Sequence, residues 1–140
     1  AVDKLEQERV IVGYPALVNW DKTPIEKVKA VIEVKVTPQR DMGFDAIAAR
    51  IYRFDEVTAV YLMSGAYDLM LGVTFGLVLH FTQQSLEAES LRTLANFVSQ
   101  KLATIDSVLS TATHFVLKKY KVDGVILEEE HADHRLAVTP

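Results

Sequence analysis

Hydrophobic and polar residues alternate most clearly over 28–37, VKAVIEVKVT. Val28, Ala30, Ile32, Val34 and Val36 take one parity, and Lys29, Glu33, Lys35 and Thr37 take the other. A period of two sends the two sets to opposite faces of a strand, one toward a core. Residues 10–19, VIVGYPALVN, read as a further strand, set apart by the polar loop WDKTPIEK. Pro38 and Asp41 break the alternation. Phe44, Ile47, Ala48 and Ile51 then fall at i, i+3, i+4 and i+7, the single apolar stripe of a helix. EVTAVYLM and YDLMLGVTF read as two strands joined across Ser64-Gly65-Ala66, an antiparallel hairpin. A second helix puts Leu91, Leu94, Ala95, Val98 and Leu102 on one face, and a last long strand covers 107–120.

The order strand, helix, strand, strand, helix, strand carries an internal repeat. Ile51-x-x-Phe54-Asp55-Glu56-Val57 leads from the first helix into a strand, and Leu102-x-x-Ile105-Asp106-Ser107-Val108 does the same from the second. Two βαβ units of this kind close into one antiparallel sheet with both helices on one face. The expected fold class is therefore α+β, a ferredoxin-like βαββαβ plait with an extra N-terminal strand. In 107–120 neither parity is polar: Leu109, Thr111, Thr113, Phe115 and Leu117 alternate with Val108, Ser110, Ala112, His114 and Val116. Helices account for the cover of one face and a second subunit for the other, with the 10–19 strand crossing to that partner.

At 140 residues the chain is read as one domain that buries roughly two-thirds of its unfolded surface. Acidic residues (19) outnumber basic ones (15), which leaves no electrostatic footprint for nucleic acid. Without cysteine there is no disulfide framework, thiolate nucleophile or Cys-ligated zinc. No signal-peptide pattern or membrane-length apolar run is read, so a cytoplasmic protein with no membrane partner is the expectation. A hydrophobic fraction of 49% is high for a small monomer and points to self-association.

Residues 28–120 resemble the effector-binding and oligomerisation half (the RAM domain) of the Lrp/AsnC transcription regulators. The matching stretches are VIEVKV, FDEVTAVYLMSGAYDL and FVSQKLATIDSVLSTATHFVLK. Their most specific features are the Gly65-x-Tyr67-Asp68 turn and the Thr111-x-Thr113 pair. Val2-x-x-Leu5-Glu6 followed by Val10-Ile11-x-Gly13-Tyr14 is similar to the end of the family's recognition helix running into its linker strand. The resemblance divides the chain into a helix end (1–9), a linker strand and loop (10–27), the effector domain (28–120) and a tail (121–140). Residues 76–90 depart from the family pattern as an insertion. Leu69, Leu71, Val73, Phe75, Leu77, Leu79 and Phe81 continue the third strand into it, past its hairpin partner. A helix-turn-helix needs two further helices upstream. The expectation is a regulator, trimmed or naturally so, that reaches DNA only through a missing unit.

The resemblance implies a free amino acid, or a related small molecule, bound where subunits meet. Such a zwitterion needs an acceptor for its ammonium and donors for its carboxylate. Asp68 is the candidate acceptor. Backbone N–H groups of Ser64, Gly65 and Ala66, beside Tyr67, are the candidate anion nest, and Thr111 and Thr113 offer hydroxyls. The plainer reading is a turn whose aspartate bonds nearby backbone, followed by two threonines of ordinary strand propensity. His131-x-x-His134 beside Glu128–Glu130 and Asp133 is a loose metal pattern, His114 a mid-strand histidine, and Lys118-Lys119-x-Lys121 a solvated strand end. No nucleophile–base–acid set is visible, so no enzyme, cofactor or metal is expected. The reading is the regulatory domain of an Lrp/AsnC-type regulator, a homodimer or higher oligomer that responds to an amino acid. The alternatives are a stand-alone amino-acid sensor that mixes subunits with other regulators, and a small dimeric enzyme.

Overall fold

The computed structural model describes residues 1–37, 43–77 and 91–127. Helix α1 (Val2–Gln7) is exposed along its length. It stops because Arg9 turns to φ 59°, so that the Arg9 N–H donates to the Glu6 carbonyl and the Val10 N–H to that of Leu5. That is the paired closure of a Schellman cap, with arginine where glycine is usual. The strand expected at 10–19 does not form in the single chain. Residues 12–19 take no regular structure, and Val10, Val12 and Tyr14 are 66, 76 and 70% exposed. A strand exists only where a neighbour takes its N–H and C=O groups, and among the described residues none does so for 12–19. A 3₁₀ turn at Trp20–Lys22, capped by the Asn19 side chain, leads into the sheet.

Four strands and two helices follow in the expected order: β1 (Glu26–Val36), α2 (Phe44–Ile51), β2 (Val57–Leu62), β3 (Leu69–Leu77), α3 and β4 (Val108–Phe115). Helix α3 is described from residue 91 and ends in a π turn, Val98–Leu102. The antiparallel sheet runs β2-β3-β1-β4. This is the plait, with the two edge strands each leaving a helix. Beyond Val73, where its pairing with β2 ends, β3 continues against β1 to the Glu26–Leu77 pair. Past Thr74, whose N–H donates to the Glu56 carbonyl, its second edge has no strand partner among the described residues, and the rest of the expected insertion, 78–90, lies outside them.

The apolar parity of β1 behaves as its alternation dictates. Ala30, Ile32 and Val34 are fully buried and meet Leu69, Leu71 and Val73 of β3, with Ile47 and Ile51 of α2 and Leu94, Phe97 and Leu102 of α3 above them. The apolar face of α3 differs from the expected one: Leu91 and Ala95 are exposed, and Phe97 is 4% exposed. A π turn follows. Its Ala103 N–H reaches back five residues to the Val98 carbonyl, at 2.8 Å, and the wider turn brings Phe97 and Leu102 inward together. Residues 116–119 leave the ladder, although the Val116 N–H still donates to the Lys29 carbonyl. The start of the expected tail is a small hairpin, β5 (Lys121–Val122) and β6 (Val125–Ile126), with Asp123 and Gly124 at φ 48° and 81°. Two positive φ values in a two-residue loop make a type I′ turn, which Asp-Gly favours.

Among the described residues, no α-helix lies over the second face of the sheet. Lys29, Val31, Glu33 and Lys35 of β1 share it with Met70 and Gly72 of β3 and with Ala112 and His114 of β4. His114 Nε2 lies 3.6 Å from Glu33 Oε1 on this face.

Candidate functional site

Six residues, Met63 to Asp68, connect β2 to β3 beyond the Leu62–Leu69 pair. The turn depends on Gly65, whose φ of 126° belongs to glycine alone. Asp68 closes it. Its N–H donates to the Val34 carbonyl at 3.1 Å, its own carbonyl accepts from the Met63 N–H, and its Oδ2 accepts from the Val36 N–H at 2.9 Å. The β1–β3 ladder ends at Val34–Leu69, so the carboxylate supplies the rung that the backbone cannot. A bulge in the β1–β4 pairing between Lys35 and Val36 lies at the same place. The aspartate is thus engaged with strand backbone.

Beside this turn is a cavity of about 140 Å³. Ala66 and Tyr67 form one wall, and Glu33, Lys35, Ser110, Thr111 and Ala112 form the rest. The strand register explains the grouping, because Glu33 stands opposite Ala112 and Lys35 opposite Ser110. Of the residues singled out in the sequence, Ala66, Tyr67 and Thr111 line this cavity together. Ser64 and Gly65 lie in the adjoining turn, and Thr113 is elsewhere. It lines a larger, apolar cleft of about 420 Å³ with Leu91, Leu94, Ala95, Val98 and Phe115. Glu33, Lys35, Ser110 and Ala112 escaped the sequence reading because their parity looked like the solvated side of β1 and the coverable side of β4. Only the cross-strand register unites them.

Other candidates separate cleanly. His131 and His134 lie outside the described residues, and among the described residues no group of three or more His, Asp or Glu is placed to hold a metal ion. No helix among them is long and apolar enough to cross a membrane. Lys118 lies with its ammonium 4.8 Å over the Tyr120 ring. Glu56 and Lys101 form a two-point ion pair, with Nζ 2.7 Å from Oε2, which ties the π turn to the start of β2. The hydrogen bond from Lys101 holds the Glu56 carboxyl below its ordinary range, against a smaller upward push from burial.

Residues 29–84 match the model of the Lrp/AsnC ligand-binding domain. The chain is 49% identical over 140 residues to the HTH-type transcriptional regulator YugG of Bacillus subtilis, covering 99% of this chain and 76% of that one. The chain belongs to the Lrp/AsnC family. Among solved structures, a transcriptional regulator of Neisseria meningitidis in complex with L-Met superposes with a TM-score of 0.63 at 21% identity, over 90% of this chain and 73% of that one. A feast or famine regulatory protein of M. tuberculosis complexed with L-methionine gives 0.62 at 20%, over 91% and 74%. At that identity the likeness is one of fold, and the fold is the Lrp/AsnC plait. The domain at hand is an effector-binding regulatory domain, and the relatives that carry it are transcription regulators.

Proposed function

We propose that this Lrp/AsnC domain binds a free amino acid in the cavity between the 64–68 turn and strands β1 and β4, and that binding is coupled to assembly of subunits through the bare sheet face. The observation that carries the reading is the cavity itself, small, edged with charged and hydroxyl groups, and open beside a sheet face that no α-helix among the described residues covers. Two structural neighbours of the same fold are complexes with L-methionine, which supports the ligand class. In this reading Ser64, Gly65, Ala66 and Tyr67 shape the wall, Thr111 lends a hydroxyl, and Asp68 positions the turn. Thr113 belongs to the apolar cleft between α3 and β4. The whole regulator would reach DNA through a helix-turn-helix preceding residue 1, and α1 would be the end of that unit.

The test is a thermal-shift screen against the twenty amino acids, with sedimentation run on any that stabilise. A true effector at about a hundred times its Kd adds about 2.7 kcal/mol of stability. It should also shift the distribution of oligomers. Stabilisation by none of the twenty, at millimolar concentration, would remove the amino acid from the reading.

A further inference from the structure

We infer that Glu33 and Lys35, and not Asp68, hold the two charges of the amino acid, with Glu33 taking the ammonium and Lys35 the carboxylate. This deepens the amino-acid reading above and rests on it.

Asp68 is already committed. Its Oδ2 accepts the Val36 N–H at 2.9 Å, and Val36 is 5% exposed, so that no water stands ready to replace the bond. A carboxylate turned away to bind ammonium would leave a buried donor unpaired. Asp68 also does not line the cavity, whereas Glu33 and Lys35 do.

Glu33 and Lys35 are two apart on one strand and point to the same face, so their Cα atoms are about 7 Å apart. They do not pair with each other, and among the described residues no carboxylate lies within ion-pair distance of Lys35. One negative and one positive group at that separation can bracket an α-amino acid, whose ammonium and carboxylate sit on one carbon. Across the strand pair, Glu33 faces Ala112 and Lys35 faces Ser110. The methyl of Ala112 leaves room beside the acid, and the Ser110 hydroxyl adds a donor beside the cation. The His114 imidazole lies beside the Glu33 carboxylate, with Nε2 3.6 Å from Oε1. A cavity of about 140 Å³ suits one such molecule, since a cavity of about 150 Å³ takes up benzene.

The experiment is isothermal titration of the whole chain and three variants, Glu33→Gln, Lys35→Met and Asp68→Asn. The probes are L-methionine and the other nineteen amino acids, then the des-amino and carboxamide analogues of whichever binds. Circular dichroism and denaturant melts confirm that each variant is folded. The expected result is a loss of about tenfold or more for Glu33→Gln toward the amino acid, with little change toward the des-amino acid. Lys35→Met should lose about as much toward the free acid and little toward the carboxamide. Asp68→Asn, which keeps an acceptor oxygen for Val36, should bind within a few-fold of the parent. If the parent binds none of the twenty, the amino-acid reading falls and this assignment with it. If the parent binds and the Glu33 and Lys35 variants bind equally well, the reading stands and the assignment is overturned. Loss of binding by a folded Asp68→Asn alone would return the ammonium to Asp68.

Discussion

Asp68 makes two consecutive contacts to β1, one through its backbone N–H to Val34 and one through its side chain to Val36. Truncation to alanine keeps the first and orphans the second, at a position where the donor is buried. Asp68→Ala should therefore lose about 1–3 kcal/mol of unfolding free energy, while Asp68→Asn should lose less than about 1 kcal/mol because its amide oxygen can accept the same bond. Urea melts of the two variants beside the parent measure this directly, and equal stability of Asp68→Ala and the parent would show that the carboxylate does not carry the rung. The sequence made the residue conspicuous, since an aspartate entering a run of Leu69, Met70 and Leu71 asks for a reason. It did not say which reason applied. Local spacing identifies a turn, but the acceptor's donor is 32 residues away on another strand. The same distance problem hid Glu33 and Lys35, whose polar parity in β1 reads as solvated until Ser110 and Ala112 are placed beside them.

At the scale of elements the internal repeat was legible, and it extends further than side-chain identity. Phe54 and Ile105 each donate to the residue three before, Ile51 and Leu102, and Val57 and Val108 donate in turn to Phe54 and Ile105. The carbonyls of Glu56 and Ser107 accept from Thr74 and Thr37, and each strand that follows is bulged at its second residue, Thr58 and Leu109. A Cβ added at Gly72 would come within 3.2 Å of the Ala59 Cβ and 3.4 Å of Thr58 Oγ1 beside the first bulge. Gly72→Val should cost about 1–3 kcal/mol by overpacking, read from a denaturant melt. The π turn was not legible, because the α-helical stripe through Leu94, Val98 and Leu102 is complete without it. Its exposed side bears the Glu56–Lys101 pair, which is half-exposed and worth about 0.5–1 kcal/mol at neutral pH. The folded carboxyl titrates below its ordinary value near 4.5, so the pair's contribution is fully present above that value. It is lost as pH falls through the lower folded value. The stability gap between the parent and Glu56→Gln, followed by urea melts across acid pH, should be largest at neutrality and close on acidification. A gap that widened in acid would contradict the assigned direction. The Asp123-Gly124 hairpin is a different case. Its signal stood in the sequence between Lys121-Val122 and Val125-Ile126, and the polar composition around it masked it.

For the molecule as a whole, the high apolar fraction and the bare sheet face are two views of one deficit. Among the described residues, the α-helices cover a single side of the sheet, and the first linker residues expose Val10, Val12 and Tyr14 with no strand beside them. A second copy brought against the open face would supply the missing cover and could give 10–19 a strand partner. Val31 is the residue on which this can be tested. It lies near the middle of the open face, between Gly72 on β3 and His114 on β4, and is only half-buried in the single chain. Val31→Lys should therefore fold alone, because its ammonium can reach water beside a glycine. Within a packed interface the same ammonium would be buried without a partner, at a cost of several kcal/mol counted in both copies. Sedimentation equilibrium should show the parent as a dimer or larger and Val31→Lys as a monomer with unchanged circular dichroism. A parent that sediments as a monomer would mean that the open face is not where copies meet. A variant that stays associated while folded would move the interface off this face, toward the exposed linker and the apolar cleft beside α3.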